Sequence, residues 1–172
     1  AATTFPAVVI TGPRQSGKTT LVTSVFGKTH AYVNLEDLDI RALAISDPRQ
    51  FLAQYATPLI IDEIQYAPNL LSYIKTRIDT QRIPGQWILT GSQHFPLMKH
   101  ISDSLAGRIA VLSLLPLTAI ENLGHGDHAP SVELPFTQPV PSLSHFQTNR
   151  SLEAFMLRGG YPELASNASI DP

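Results

Sequence analysis

Ala7-Val8-Val9-Ile10-Thr11-Gly12-Pro13-Arg14-Gln15-Ser16-Gly17-Lys18-Thr19-Thr20-Leu21 is the stretch from which the rest of the chain can be read. An apolar, mostly β-branched run enters a Gly-containing segment, and a helix-compatible run follows, so the stretch reads strand, loop, helix. Gly12 to Thr19 matches G-x-x-x-x-G-K-[ST] in the setting that pattern requires. Backbone N–H groups of such a loop curl around a phosphate, and the helix N-terminus adds its positive dipole end. Gly12 and Gly17 supply dihedrals that a Cβ would oppose. Pro13, Arg14, Gln15, Ser16 and Thr20 complete the cradle. Lys18 reaches the terminal phosphates, and the Thr19 hydroxyl holds Mg²⁺. The expected ligands are ATP or ADP with Mg²⁺.

Working outward, Lys18 to Phe26 reads as the first helix, ended by Gly27 as a residue tolerant of the left-handed region. Ala31 to Leu35 reads as a second strand, followed by Glu36 and Asp37. Asp39 to Ser46 reads as helical, and Asp47-Pro48 as an N-cap followed by Pro at the first position of another helix, which turns Phe51, Leu52 and Tyr55 inward. Leu59-Ile60-Ile61 is a continuous apolar run, as in a strand of a parallel sheet covered on both faces. It ends in Asp62-Glu63, two adjacent carboxylates that are costly there unless they serve a site. Pro68-Asn69 starts a helix with Leu70, Ile74 and Ile78 as its inner stripe, and Lys75, Arg77 and Arg82 read as solvated cations near it. Gln86 to Leu89 forms a fourth strand that runs into Thr90-Gly91-Ser92-Gln93. Short helical segments follow up to Ala106, and Ile109 to Leu115 gives a fifth strand. Five strands alternating with helices predict a parallel α/β sheet, whose ligands gather at the C-terminal ends of the strands.

The expected domain core covers residues 1–123. Residues 124–148, rich in Pro, His, Gly and Ser, read as a loop or linker. Residues 149–172 read as a short C-terminal segment with a helix over Ser151–Leu157 and a turn at Gly159-Gly160-Tyr161-Pro162, the start of a further domain that this chain does not carry. The sequence opens Ala1-Ala2-Thr3-Thr4 without Met and reads as a fragment.

Beside the loop, Asp62 is expected to hold Mg²⁺ opposite Thr19, directly or through water. Glu63 is expected to polarise the water that attacks the γ-phosphate. Thr90, Ser92 and Gln93 are the candidates at the end of the neighbouring strand for contacting that phosphate or placing the water, with Ser92 preferred over Thr90. Arg108 is read in two ways: as a guanidinium reaching a γ-phosphate across a subunit boundary, or as a structural Arg capping a helix or pairing with a carboxylate.

Composition narrows the field further. A net charge of −2 supplies no global attraction to nucleic acid or to an anionic membrane, and no apolar run approaches spanning length. The absence of Cys excludes disulfides and thiolate chemistry. The six His residues, His94 and His100 among them, show no metal-ligand spacing. Asn-Lys-x-Asp, the guanine-reading motif, does not occur. An ATP-dependent chain without a targeting segment is expected in the cytoplasm.

Taken together, Gly12 to Leu21, Asn34-Leu35-Glu36-Asp37, Asp47-Pro48-Arg49, Ile60 to Gln65, Leu89-Thr90-Gly91-Ser92 and Ser104-Leu105-Ala106-Gly107-Arg108 resemble the prokaryotic AAA+ ATPases described as ATP-binding proteins. Leu115-Pro116-Leu117-Thr118 with Glu121, and Gly159 to Glu163, extend the likeness over most of Val8 to Glu163. The resemblance implies a three-layer αβα P-loop core with strand order 5-1-4-3-2. It makes Lys18 and Thr19 part of Walker A and Asp62-Glu63 Walker B, with sensor 1 near Thr90 or Ser92. It gives Arg108 a finger or sensor role in self-association, and it implies a C-terminal effector domain. The Pro-rich run Ala129 to Ser142 departs from the pattern as an insertion, and no helical lid or second sensor arginine can be placed. The expected activity is MgATP hydrolysis that drives or gates a partner domain. The alternatives are a nucleotide-dependent switch with little turnover, or a P-loop kinase, against which the paired carboxylates weigh.

Overall fold

A computed structural model describes residues 1–92, 101, 105–122 and 159–166. Gln93, the helical segments expected between it and Ala106 (apart from Ile101 and Leu105), the linker 124–148 and the helix expected over Ser151–Leu157 lie outside the described residues. The chain divides into two compact units, Ala1–Leu115 and Pro116–Pro172.

The first unit is a five-stranded parallel sheet. Its elements run β1 (Ala7–Gly12), α1 (Lys18–Phe26), β2 (Ala31–Asn34), α2 (Leu38–Ser46), α3 (Pro48–Gln54), β3 (Leu59–Asp62), a 3₁₀ turn (Ile64–Tyr66), α4 (Leu70–Thr80), β4 (Trp87–Ser92) and β5 (Ile109–Ser113). The strand order is β2-β3-β4-β1-β5, the expected 5-1-4-3-2 read from the other edge. β1 pairs with β4 from Ala7 opposite Trp87 to Gly12 opposite Ser92, and β2 pairs with β3 from Ala31 opposite Leu59 to Asn34 opposite Asp62. Because all strands are parallel, the segments that follow β1, β3 and β4 emerge at the same edge.

Alternation along the strands builds two cores. Val9, Val33, Leu59, Ile61, Trp87 and Leu89 face one side and pack with Phe51, Leu52, Leu70, Ile74 and Ile78 of α3 and α4. Val8, Ile10, Ile60 and Ile88 face the other side and meet Val22 of α1. Every residue of β1, β3 and β4 is buried, which is why those strands read as unbroken apolar runs. β5 is an edge strand, with Val111 42 % and Leu112 46 % exposed. The starts of α2 and α3 are fixed by side-chain caps: Asp37 accepts N–H bonds from Asp39 and Ile40, and Asp47 accepts one from Gln50 with Pro48 in the first turn. At the end of α1 the expectation needs correction. Gly27 is right-handed (φ −60°), and what an added Cβ would meet is the Thr23 carbonyl oxygen, at 2.4 Å.

The described part of the second unit joins two motifs that the sequence leaves far apart. Thr118 and Glu121 form a capping box at α5 (Ala119–Asn122): Glu121 accepts from the Thr118 N–H at 2.7 Å and from its hydroxyl at 2.8 Å, and the Thr118 hydroxyl accepts from the Glu121 N–H. Those bonds hold the Glu121 carboxyl below the usual range. The Leu117 N–H donates to the Gly160 carbonyl at 2.6 Å, and a Cβ on Gly160 would lie 2.1 Å from the Leu117 oxygen. Glycine is required there by contact, ahead of α6 (Pro162–Ser166). The sequence left that last helix unassigned.

Ile74 is fully buried at the centre of the larger core. Ile74→Ala is expected to destabilise the protein by about 2–5 kcal/mol, read from a lower denaturation midpoint at unchanged m-value.

Candidate functional site

The loop after β1 is shaped by backbone demands. Gly17, the N-cap of α1, sits at φ 91° and Gln15 at φ 61°, both in the left-handed region. Gly12 is required for a different reason: an added Cβ would lie 2.1 Å from the Leu114 carbonyl oxygen, where the chain leaving β5 runs alongside. The Lys18 side chain is buried and folds over the loop, donating from Nζ to the Pro13 carbonyl at 2.6 Å and to the Gly12 carbonyl at 3.2 Å. Those two bonds leave the third ammonium proton for a ligand. Arg14, Gln15, Thr19 and Thr20 are exposed on the loop, and Pro13 is half-buried.

Asp62 ends β3 at the same edge and is 1 % exposed. Three hydroxyls converge on its carboxylate. Thr19 Oγ1 donates to Oδ2 at 2.8 Å, Tyr32 Oη donates to the same oxygen at 2.8 Å, and Thr90 Oγ1 donates to Oδ1. The phosphate loop and the first of the paired carboxylates are therefore in direct contact. Because Thr19 gives its proton to Asp62, its oxygen lone pairs are available to a cation, a donor set that fits Mg²⁺ shared with substrate phosphates. Among the described residues no group of three or more His, Cys, Asp or Glu side chains could hold a metal by itself.

The Thr90 hydroxyl is fully engaged on the protein side. It is 0 % exposed, gives its proton to Asp62 and accepts the Glu63 N–H at 3.1 Å. Ser92 differs. Opposite Gly12 in the β1–β4 register, its Oγ is buried without a hydrogen-bond partner, as is Ser16 Oγ in the loop. Two orphaned hydroxyls beside Gly12 fit an anionic ligand that accepts hydrogen bonds, since buried polar groups left unpaired are costly. Glu63 adopts a left-handed conformation (φ 59°) that turns the chain into the 3₁₀ segment, and Gln65 Nε2 donates to its Oε2.

Arg108 is not brought to the loop. Its carbonyl accepts the Ala7 N–H at the start of β1, roughly 17 Å from Gly12 at ~3.3 Å per strand residue. Its guanidinium makes a two-pronged contact with the Asp79 carboxylate and donates to the Ala106 carbonyl at 3.0 Å. This is the carboxylate-pairing arrangement, and the Arg108 hydrogen bond holds Asp79 below the usual carboxylate range.

The sequence reading missed Tyr32 and Gln65. Tyr32 lies opposite Ile60 in the β2–β3 register, on the face that Asp62 shares, so its reach is visible only once that register is known. Burial first, then the hydrogen bond to Asp62 and the charges of Asp62, Glu36 and Glu63, push its phenol well above the ordinary tyrosine value.

The family model described as an AAA domain matches residues 4–123, which contain every candidate residue named above. The chain belongs to the AAA domain family. This AAA domain is 33 % identical over 114 residues to uncharacterized proteins of Mycobacterium bovis and Mycobacterium tuberculosis, a match covering 66 % of this chain and 26 % of each relative. The chain thus spans about a quarter of their length. Among solved structures it resembles a Walker-type ATPase of Pyrococcus abyssi with a TM-score of 0.52 and 16 % identity, over 94 % of this chain and 61 % of that one. At that identity the likeness is one of fold, the α/β P-loop ATPase fold. Among the described residues no helix is long and apolar enough to cross a membrane.

Thr90→Val keeps the shape but strips Asp62 Oδ1 and the Glu63 N–H of their partner, so a loss of about 1–3 kcal/mol is expected. Ser92→Ala removes a hydroxyl without a partner and is expected to leave stability within about 0.5 kcal/mol. Urea denaturation of the two variants checks the contrast.

Proposed function

We propose that this AAA domain binds ATP on the Gly12–Thr20 loop and hydrolyses it to drive or gate a partner domain. The observation that carries the reading is the 2.8 Å hydrogen bond from Thr19 Oγ1 to Asp62 Oδ2. It joins the loop to the C-terminal end of a buried strand, where an uncompensated carboxylate would be costly. The Lys18 ammonium, already turned over the loop, meets the β- and γ-phosphates. The backbone N–H groups from Gly12 to Thr20 and the α1 N-terminus take the remaining charge. Mg²⁺, held by Thr19 Oγ1 and, directly or through water, by Asp62, would neutralise charge on the β- and γ-phosphate oxygens.

Glu63 orients the attacking water and accepts its proton, a role suited to a carboxylate immediately after Asp62. Its left-handed backbone is a conformation that side chains other than glycine adopt at some cost, and such residues cluster at active sites. The unpartnered Ser92 Oγ contacts the γ-phosphate. Thr90, both of whose hydrogen bonds are internal, holds Asp62 and Glu63 in place and does not contact the nucleotide. Any contact between Arg108 and a γ-phosphate would be made in a second copy, after its pairing with Asp79 is released.

One observation favours a second reading, a nucleotide switch with little turnover: Gln65 holds an oxygen of the Glu63 carboxylate that hydrolysis needs.

Lys18→Ala is expected to abolish nucleotide binding, read with a fluorescent ATP analogue. Glu63→Gln is expected to bind ATP as the parent does and to lose phosphate release by about 10²-fold or more. Phosphate release unchanged in Glu63→Gln removes Glu63 from the mechanism. Tight binding with no release from the parent chain favours the switch.

A further inference from the structure

Asp62 is held from both flanks of its strand. Thr90 reaches it from β4, Thr19 reaches it from the start of α1, and Tyr32 reaches it from β2. A carboxylate offers about four lone-pair directions, and three are taken by hydroxyl protons. Two of the donors have other duties in the proposed function: Thr19 turns its lone pairs to the cation, and Thr90 also accepts the Glu63 N–H. Tyr32 alone holds Oδ2 from the β2 side.

We propose that Tyr32 is a positioning residue for the divalent cation, its hydroxyl fixing the Asp62 carboxylate in the orientation that receives the metal or its water. The inference rests on the reading of Asp62 as the carboxylate that faces the nucleotide's metal. Groups that hydrogen-bond a metal-facing carboxylate set its direction and share its charge, and their loss commonly weakens metal affinity by tenfold or more. Tyr32 is 41 % exposed while Asp62 is 1 % exposed, so a ring at the protein surface delivers its hydroxyl to a buried acid. Packing alone does not require tyrosine there: phenylalanine would fill the same volume, and only the hydroxyl reaches the site.

The test compares the parent chain, Tyr32→Phe and Asp62→Asn, using a fluorescent ATP analogue titrated first in EDTA and then against Mg²⁺. Phenylalanine keeps the ring on a partly exposed strand residue, so the variant retains the fold, and its affinity in EDTA reports that directly. In Tyr32→Phe, affinity in EDTA is expected to stay within about twofold, while the Mg²⁺ concentration needed for half of the metal-dependent gain rises about tenfold. An unchanged Mg²⁺ requirement in Tyr32→Phe, with the gain lost in Asp62→Asn, overturns the role of Tyr32 and leaves the reading of Asp62 standing. A lowered Mg²⁺ requirement in Tyr32→Phe also overturns it, because the hydroxyl would then compete with the metal. A metal-dependent gain undiminished in Asp62→Asn overturns both. Equal losses with and without Mg²⁺ in Tyr32→Phe mean that the hydroxyl only supports the fold, which contradicts the proposal.

Discussion

A buried carboxylate cannot be left to itself, and the site is built around the answer to that constraint. Asp62 is almost wholly removed from water, and the groups that satisfy it come from α1, β2 and β4. Because each donor belongs to a different element, the carboxylate ties the phosphate loop to the centre of the sheet. The contact is therefore structural, and under the proposed function it is chemical as well. Removing Asp62 would leave three hydroxyls without their acceptor, and removing any one donor would leave the acid looser and less well solvated.

The sheet makes this convergence possible. With β1 between β4 and β5, and β3 between β2 and β4, parallel pairing sends the ends of β1, β3 and β4 to one edge. Alternation then sorts the side chains: Ile10 and Gly12 of β1, Ile60 and Asp62 of β3, and Ile88, Thr90 and Ser92 of β4 share the face covered by α1. Moving outward along that face, the apolar core that includes Val22 gives way to an acid at the end of β3 and to two hydroxyls at the end of β4. Arg108 lies at the other end of the same strands, away from this copy's own loop.

The sequence was most legible where one residue type answers one physical demand. Gly12, Gly17 and Lys18 announced the loop, and Leu59 to Asp62 announced a buried strand ending in an acid. Alternating elements announced a parallel sheet, and the strand order came from the family resemblance alone. Contacts set by register were not legible. Tyr32 looks like an ordinary strand aromatic until β2 is laid beside β3, and the contrast between the engaged Thr90 hydroxyl and the unpartnered Ser92 hydroxyl is visible only in the folded chain. Gly27 and Gly160 show a related limit. Both invite an account based on backbone handedness, yet neither has a positive φ, and what excludes a side chain at each is a carbonyl contributed by another residue.

The proposed function requires Thr19 and Asp62 to act on a nucleotide's metal as one unit. A double-mutant cycle with Thr19→Val and Asp62→Asn, read as the gain in ATP affinity that Mg²⁺ confers, tests it directly. Each single change is expected to remove most of that gain, and the double variant to be no worse than either single one. Losses that simply add, or a gain that persists in both single variants, would contradict it.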